Sequence, residues 1–300
     1  MFKAGLLKDD FRYGDLYRLS NLNEFKEKQV KCKASTLENI ENLSLCIAGD
    51  SFTEKERIDS SDFGLKNYVR LFGPSPETGY KLKPGKNILI IETVERHFRE
   101  RFEKPYSAVF LDRNIPNEKK EPILEQAIHY NLPYSEAAHQ NNLFGFDFML
   151  KIKEWKAAMN LSLFTKVDPR VYLSKDGKHI FYYLDKEKGN TSGFEAIADS
   201  SINKYVVNLN ATYAYYRKMG FDEVYISIIP NKSSIIEPGT TYNYLVSKIE
   251  THGGLKMPIL SVYNAYSKAG AGAYALGDSH WSCQGRQIWL NAVNEKIRKK

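Results

Sequence analysis

The run Leu43-Ser44-Leu45-Cys46-Ile47-Ala48 has the length and apolar character of a buried strand, and it ends directly on Gly49-Asp50-Ser51. A strand buried on both faces needs helices above and below it, which points to a parallel sheet. Asn87 to Ile91 reads as a second buried strand preceded by Pro84-Gly85. Glu223 to Ile229 reads as a third, ended by Pro230-Asn231, and Met257 to Val262 as a fourth. Helical spacing falls between and after them, at Val94 to Arg101, Tyr242 to Glu250 and Ser282 to Arg298, the last with Ile288, Leu290, Val293 and Ile297 on its inner face. Strands separated by helices predict an α/β fold with a parallel sheet covered on both faces.

The segment from about 104 to 195 breaks this rhythm. Phe144 to Leu163 predicts a long amphipathic helix, and Arg170 to Leu184 predicts a hairpin around Asp176-Gly177. A further long helix from Phe194 to Met219 returns the chain to the sheet. The segment reads as an insert or cap. Its tyrosines and phenylalanines either pack on the sheet or stack on sugar rings. Residues 1–42 form an N-terminal extension, and 43–300 the main domain.

With 300 residues, 42% of them hydrophobic, the chain has enough apolar material for one elaborated domain. The net charge of +7 is a mild bias. The basic ending Lys296 to Lys300 suits a solvated helix end, with attraction to anionic polymer or lipid as the sharper reading. No Arg-Gly or aromatic-basic repeat appears, so nucleic acid is not an expected partner. Cys32, Cys46 and Cys283 do not make a complete disulfide framework, and no spacing suggests a metal. Cys46 reads as a small core residue, and Cys283 as an ordinary residue three positions after His280. There is no stretch of about 18 apolar residues and no secretory h-region after Met1, which taken literally predicts a cytoplasmic protein.

Near the other end stands Gly277-Asp278-Ser279-His280-Trp281. A serine hydroxyl is inert until an imidazole accepts its proton, and the imidazole works best with a carboxylate fixing its tautomer. Ser51, His280 and Asp278 supply those three groups. Asp50 is a competing carboxylate, though its place beside the nucleophile suits a turn-forming role.

These two blocks resemble the SGNH (GDSL-type) hydrolases, with Gly49-Asp50-Ser51 as the first block and Asp278 and His280 as the last. The Asp-x-His-Trp form looks like the branch of alginate O-acetyltransferase-like proteins, although in those the Asp-x-His block precedes the serine. The resemblance implies a three-layer α/β/α, flavodoxin-like SGNH domain without a metal or organic cofactor. It also implies acyl ester chemistry on a carbohydrate, through an acyl-Ser51 intermediate. The expected reaction is O-acetyl transfer to a cell-surface polysaccharide, or its deacetylation. A membrane-bound acyltransferase is the implied partner and acyl source, and the implied location is extracytoplasmic, periplasmic or membrane-attached.

The family's Gly-x-Asn-Asp block, a usual source of an oxyanion donor, is missing. Thr93 or Arg96 stands at the equivalent point; Arg96 alternatively forms a helix-surface ion pair with Glu92 or Glu100. Asn231 and Lys232 leave the third strand at the same sheet edge, as substrate-binding groups or as ordinary turn formers. The missing block also permits another class of function, a catalytically silent carbohydrate-binding or assembly protein on the same fold.

Overall fold

The computed structural model describes residues 12–33, 37–72, 78–111 and 147–298. The expected helix over 144–146, the part of the insert over 112–146, the first eleven residues and the final Lys299-Lys300 lie outside the described residues. The chain divides into two units, one of Lys31–Arg113, Phe181–Ala275 and Ser279–Lys300, the other of Met1–Val30, Asn114–Ile180 and Leu276–Asp278.

The larger unit is built on a parallel sheet. Its strands are β1 (Ile40–Gly49), β2 (Leu65–Phe72), β4 (Lys86–Val94) and β8 (Glu223–Ile229), in the order β2-β1-β4-β8. Short pieces β3 (Thr78–Tyr80) and β5 (Val109–Leu111) pair separately. Side chains alternate across the sheet as the pleat requires. Cys46, Ala48, Leu89, Ile91, Val224 and Ile226 face one core. That core is closed by α2 (Glu95–Arg101), α4 (Asp199–Met219) and α6 (Leu245–Glu250), through Phe98, Val206, Leu209, Val246 and Ile249. Leu45, Ile47, Ile88, Ile90 and Ile229 face the other, closed by α7 (Tyr263–Ala269) and α8 (Cys283–Ile297) through Tyr266, Trp289, Leu290 and Val293. The α/β class with helices on both faces is thus as expected.

Two strand assignments differ from the expectation. Leu65–Phe72 is a sheet strand at the edge, half-exposed and mixed in polarity, so it carries no apolar run. Met257 to Val262 runs beside β8 but makes only the bridge Ile226–Ile259, with Ile226 N–H donating to Pro258 O at 3.0 Å and Leu260 N–H to Ile226 O at 2.8 Å. Pro258 has no N–H to extend a ladder. The helix expected from Tyr242 starts later, because Tyr244 takes a left-handed conformation at φ 57° and Asn243 Oδ1 accepts Leu245 N–H.

Cys32 and Cys283 are joined by a disulfide, contrary to the ordinary role expected of Cys283. The spacing of 251 residues hides that pairing from any local reading. Cys46 is free and buried, as expected.

In the smaller unit, α1 (Asp15–Ser20) holds the segment 276–278: Tyr17 N–H donates to Gly277 O at 2.8 Å. Leu276 N–H donates to Glu27 Oε2 at 3.0 Å. Gly14, at φ +89°, lies so close that a Cβ would stand 2.3 Å from Gly277 O. Helix α3 (Asp147–Phe164) docks through Leu150 and Glu154, the latter paired with Lys26 at 2.8 Å and with Tyr17. The expected hairpin is present as β6 (Val171–Leu173) and β7 (Ile180–Tyr182). No helix among the described residues is long and apolar enough to cross a membrane.

Candidate active site

Register decides what shares the carboxyl edge of the sheet. Ala48 lies opposite Ile91 and Val94 opposite Ile229, so Asp50-Ser51, the start of α2 and Pro230-Asn231 all emerge at one edge.

Ser51 opens a 3-10 turn, Ser51–Thr53. Asp50 caps it, Oδ1 accepting Phe52 N–H at 3.1 Å and Oδ2 accepting Val94 N–H at 2.8 Å. One carboxylate oxygen therefore caps the turn itself, and the other fastens it to β4. Thr53 N–H donates to Asp50 O at 3.2 Å. Ser51 N–H holds the first position, where a helical turn offers no internal acceptor.

Behind the turn sits Glu92, fully buried. Its Oε2 accepts Asp50 N–H at 3.0 Å and the Thr53 hydroxyl at 3.2 Å. Burial, reinforced by the Asp50 carboxylate, holds the Glu92 carboxyl well above the ordinary range and favours its neutral form. Gly49 is the residue that lets these groups close up. A Cβ there would stand 2.1 Å from Thr53 Oγ and 2.6 Å from Glu92 Oε2. Arg70, half-buried on β2, donates from Nη2 to Asp50 O at 2.6 Å.

His280 arrives from the chain's far end on a loop closed by the antiparallel bridge Tyr274–Trp281. Ala275 N–H donates to His280 O at 3.2 Å. Phe52 packs on both sides of the join, its ring 4.7 Å from the imidazole and 5.3 Å from Trp281. Trp281 in turn packs on the buried Trp289 of α8. The result is a separation of 2.7 Å between His280 Nε2 and Ser51 Oγ. His280 is 7% exposed and Ser51 is half-buried, so the pair is shielded yet open to a ligand.

Asp278 is buried, two positions before His280, and belongs to the smaller unit, where Tyr17 and Gly14 clamp its segment.

The other sequence-selected residues have structural partners. Thr93 is fully buried, and its hydroxyl donates to Val94 O at 3.3 Å. Arg96 is buried rather than on a helix surface. Its Nη1 lies 3.6 Å from Asp185 Oδ1, not beside Glu92 or Glu100, and its guanidinium stands 5.3 Å from the Tyr182 ring centroid. The surface ion pair fails because α2 begins at the sheet edge and Arg96 points inward. Lys232, the first residue of α5 (Lys232–Ile236), donates from Nζ to Ala275 O at 2.8 Å, fastening the loop that carries His280. Asn231 Oδ1 accepts Arg96 N–H at 3.2 Å, and its own N–H donates to Glu95 Oε2 at 2.9 Å. Asn231 Nδ2 is buried with no hydrogen-bond partner.

Glu92, Arg70 and Glu95 stand in neither sequence motif, and Glu92 supports the serine turn instead of pairing with Arg96. Glu95 is fully buried and also accepts the Tyr242 hydroxyl at 2.9 Å, and burial pushes its pKa up to about 7. A signal existed for Glu92, since a carboxylate directly ending an apolar run inside a strand has no cheap place to go. Arg70 gives no such signal.

No protein-family model, curated protein or solved structure matches this chain.

Proposed function

We propose that the protein carries out serine-dependent acyl ester chemistry on a carbohydrate, on an SGNH-type three-layer domain. Ser51 Oγ attacks the acyl carbonyl while His280 Nε2 takes its proton. The ester C–O bond breaks, the proton passes to the departing oxygen, and an acyl-Ser51 ester remains. A sugar hydroxyl or water then attacks that ester with His280 again as base, giving transfer or hydrolysis. Asp278 is the carboxylate assigned to orient the imidazole. The resemblance to the alginate O-acetyltransferase-like branch favours transfer to a cell-surface polysaccharide.

The observation that carries this reading is the 2.7 Å separation of His280 Nε2 and Ser51 Oγ across 229 residues of sequence. Charge on the carbonyl oxygen needs donors, each worth about 3 kcal/mol in such sites. Ser51 N–H is one, and Asn231 Nδ2, buried without a partner, is the candidate second in place of the missing asparagine block. The Cys32–Cys283 disulfide supports an oxidising, extracytoplasmic location, where a membrane-bound acyltransferase would deliver the acyl group.

A serine-reactive fluorophosphonate tests the proposal. Wild-type protein is expected to label and Ser51→Ala not to. Absence of labelling in well-folded wild type supports the silent carbohydrate-binding protein instead. An activated acetyl ester, supplied with and without an oligosaccharide acceptor, then separates transferase from esterase by the appearance of acetylated sugar.

A further inference from the structure

Helix α3 carries large apolar side chains on the face turned to solvent. Phe148, Ile152, Trp155, Met159 and Leu163 follow one another at intervals of three or four residues, so at about 100° per residue they form one stripe. All are exposed, Phe148 to 72%, Trp155 to 68% and Leu163 to 66%. The docked face, with buried Leu150 and the paired Glu154, lies roughly opposite. The stripe is therefore surplus to holding the helix in its unit.

The flanks identify the occupant. Lys151 and Lys156 are both exposed, and they fall on either side of the stripe, about 80° and 60° from its centre. Lysines in those positions extend along an apolar layer and place their ammonium groups at its charged boundary. An apolar row containing a tryptophan, bordered on both sides by cations, matches an anionic lipid surface, whose interior accepts the row and whose headgroups accept the lysines. A helical protein partner would favour a narrower seam with charges of both signs alongside.

We propose that α3 seats the protein on an anionic membrane surface, in the plane of the headgroups, through Phe148, Ile152, Trp155, Met159 and Leu163. This interaction is independent of the chemistry at Ser51.

The test uses the full chain and vesicles of phosphatidylcholine alone or with about one third phosphatidylglycerol. Trp281 and Trp289 are buried, so Trp155 is the tryptophan placed to report contact. The expected result is sedimentation with anionic vesicles, a blue shift of tryptophan emission, and quenching by lipids brominated on their acyl chains. Lys151→Gln with Lys156→Gln is expected to weaken the partition by about thirtyfold. Ile152→Glu is expected to abolish the blue shift with the melting temperature unchanged, since Ile152 is exposed. Three results overturn the proposal: no sedimentation with anionic vesicles, sedimentation that Ile152→Glu leaves intact, or a Trp155 already shielded from acrylamide without lipid. In the last case, shielding that grows with protein concentration indicates a second copy on the stripe, and constant shielding indicates cover by the chain itself.

Discussion

His280 Nε2 lies 2.7 Å from Ser51 Oγ, within hydrogen-bond reach, although the two residues come from opposite ends of the chain. On one side Asp50 and Glu92 fix the serine turn, and on the other the Tyr274–Trp281 bridge and the Phe52 ring fix the histidine. Ser51→Ala is expected to abolish phosphonate labelling. His280→Ala and Asp278→Asn are each expected to slow it by at least about 10³-fold. Labelling of Ser51→Ala at the wild-type rate would remove Ser51 from the chemistry.

Glu92 acts on the serine through the backbone. Glu92→Gln keeps an oxygen to accept Asp50 N–H and the Thr53 hydroxyl, and is expected to label within about threefold of wild type. Glu92→Ala leaves a buried N–H unsatisfied, at a cost of about 1 to 3 kcal/mol, and is expected to lower kcat while KM holds. Gly49→Ala is expected to do the same more severely, since its Cβ occupies the Thr53 and Glu92 positions. Equal kcat in Glu92→Ala and wild type would show that the turn holds itself.

Glu95 makes stability depend on pH. Its folded pKa of about 7 lies above the ordinary 4.5, so between these values the folded protein holds a proton that the unfolded chain releases. Its contribution is therefore complete below about pH 4.5 and declines as pH rises to about 7, by up to about 3 kcal/mol. Glu95→Gln is expected to flatten that part of the profile. Denaturant midpoints for both proteins from pH 4.5 to 8 measure it, and parallel profiles would contradict it.

The Cys32–Cys283 disulfide closes a loop of nearly the whole chain, the case where restricting the unfolded state matters most. Replacing both cysteines with serine is expected to cost about 2 to 5 kcal/mol. Thiol titration is expected to find a single thiol in unreduced, denatured protein, from Cys46, and three after reduction. Three thiols without reductant would show the pair open.

Local chemistry specifies several elements of this fold outright. Apolar runs at Leu43 to Ala48, Asn87 to Ile91 and Glu223 to Ile229 read as buried strands from their short length, their apolar character and the turn residues beside them. Ser51, Asp278 and His280 were legible as residue types in a meaningful order. What surrounds Ser51 and His280 comes from packing. Parallel register put three strand ends at one edge, and the bridge at Trp281 aimed His280 at Ser51. The edge strand Leu65–Phe72 was hidden because half-exposed strands need no apolar run. The inward turn of Arg96 to Asp185, the closure of Glu92 on the serine turn and the Cys32–Cys283 bond all join residues too far apart in sequence for any local pattern to register them. The outward face of α3 was hidden for a different reason: periodicity shows that a helix has an apolar stripe, and only packing shows which way it looks.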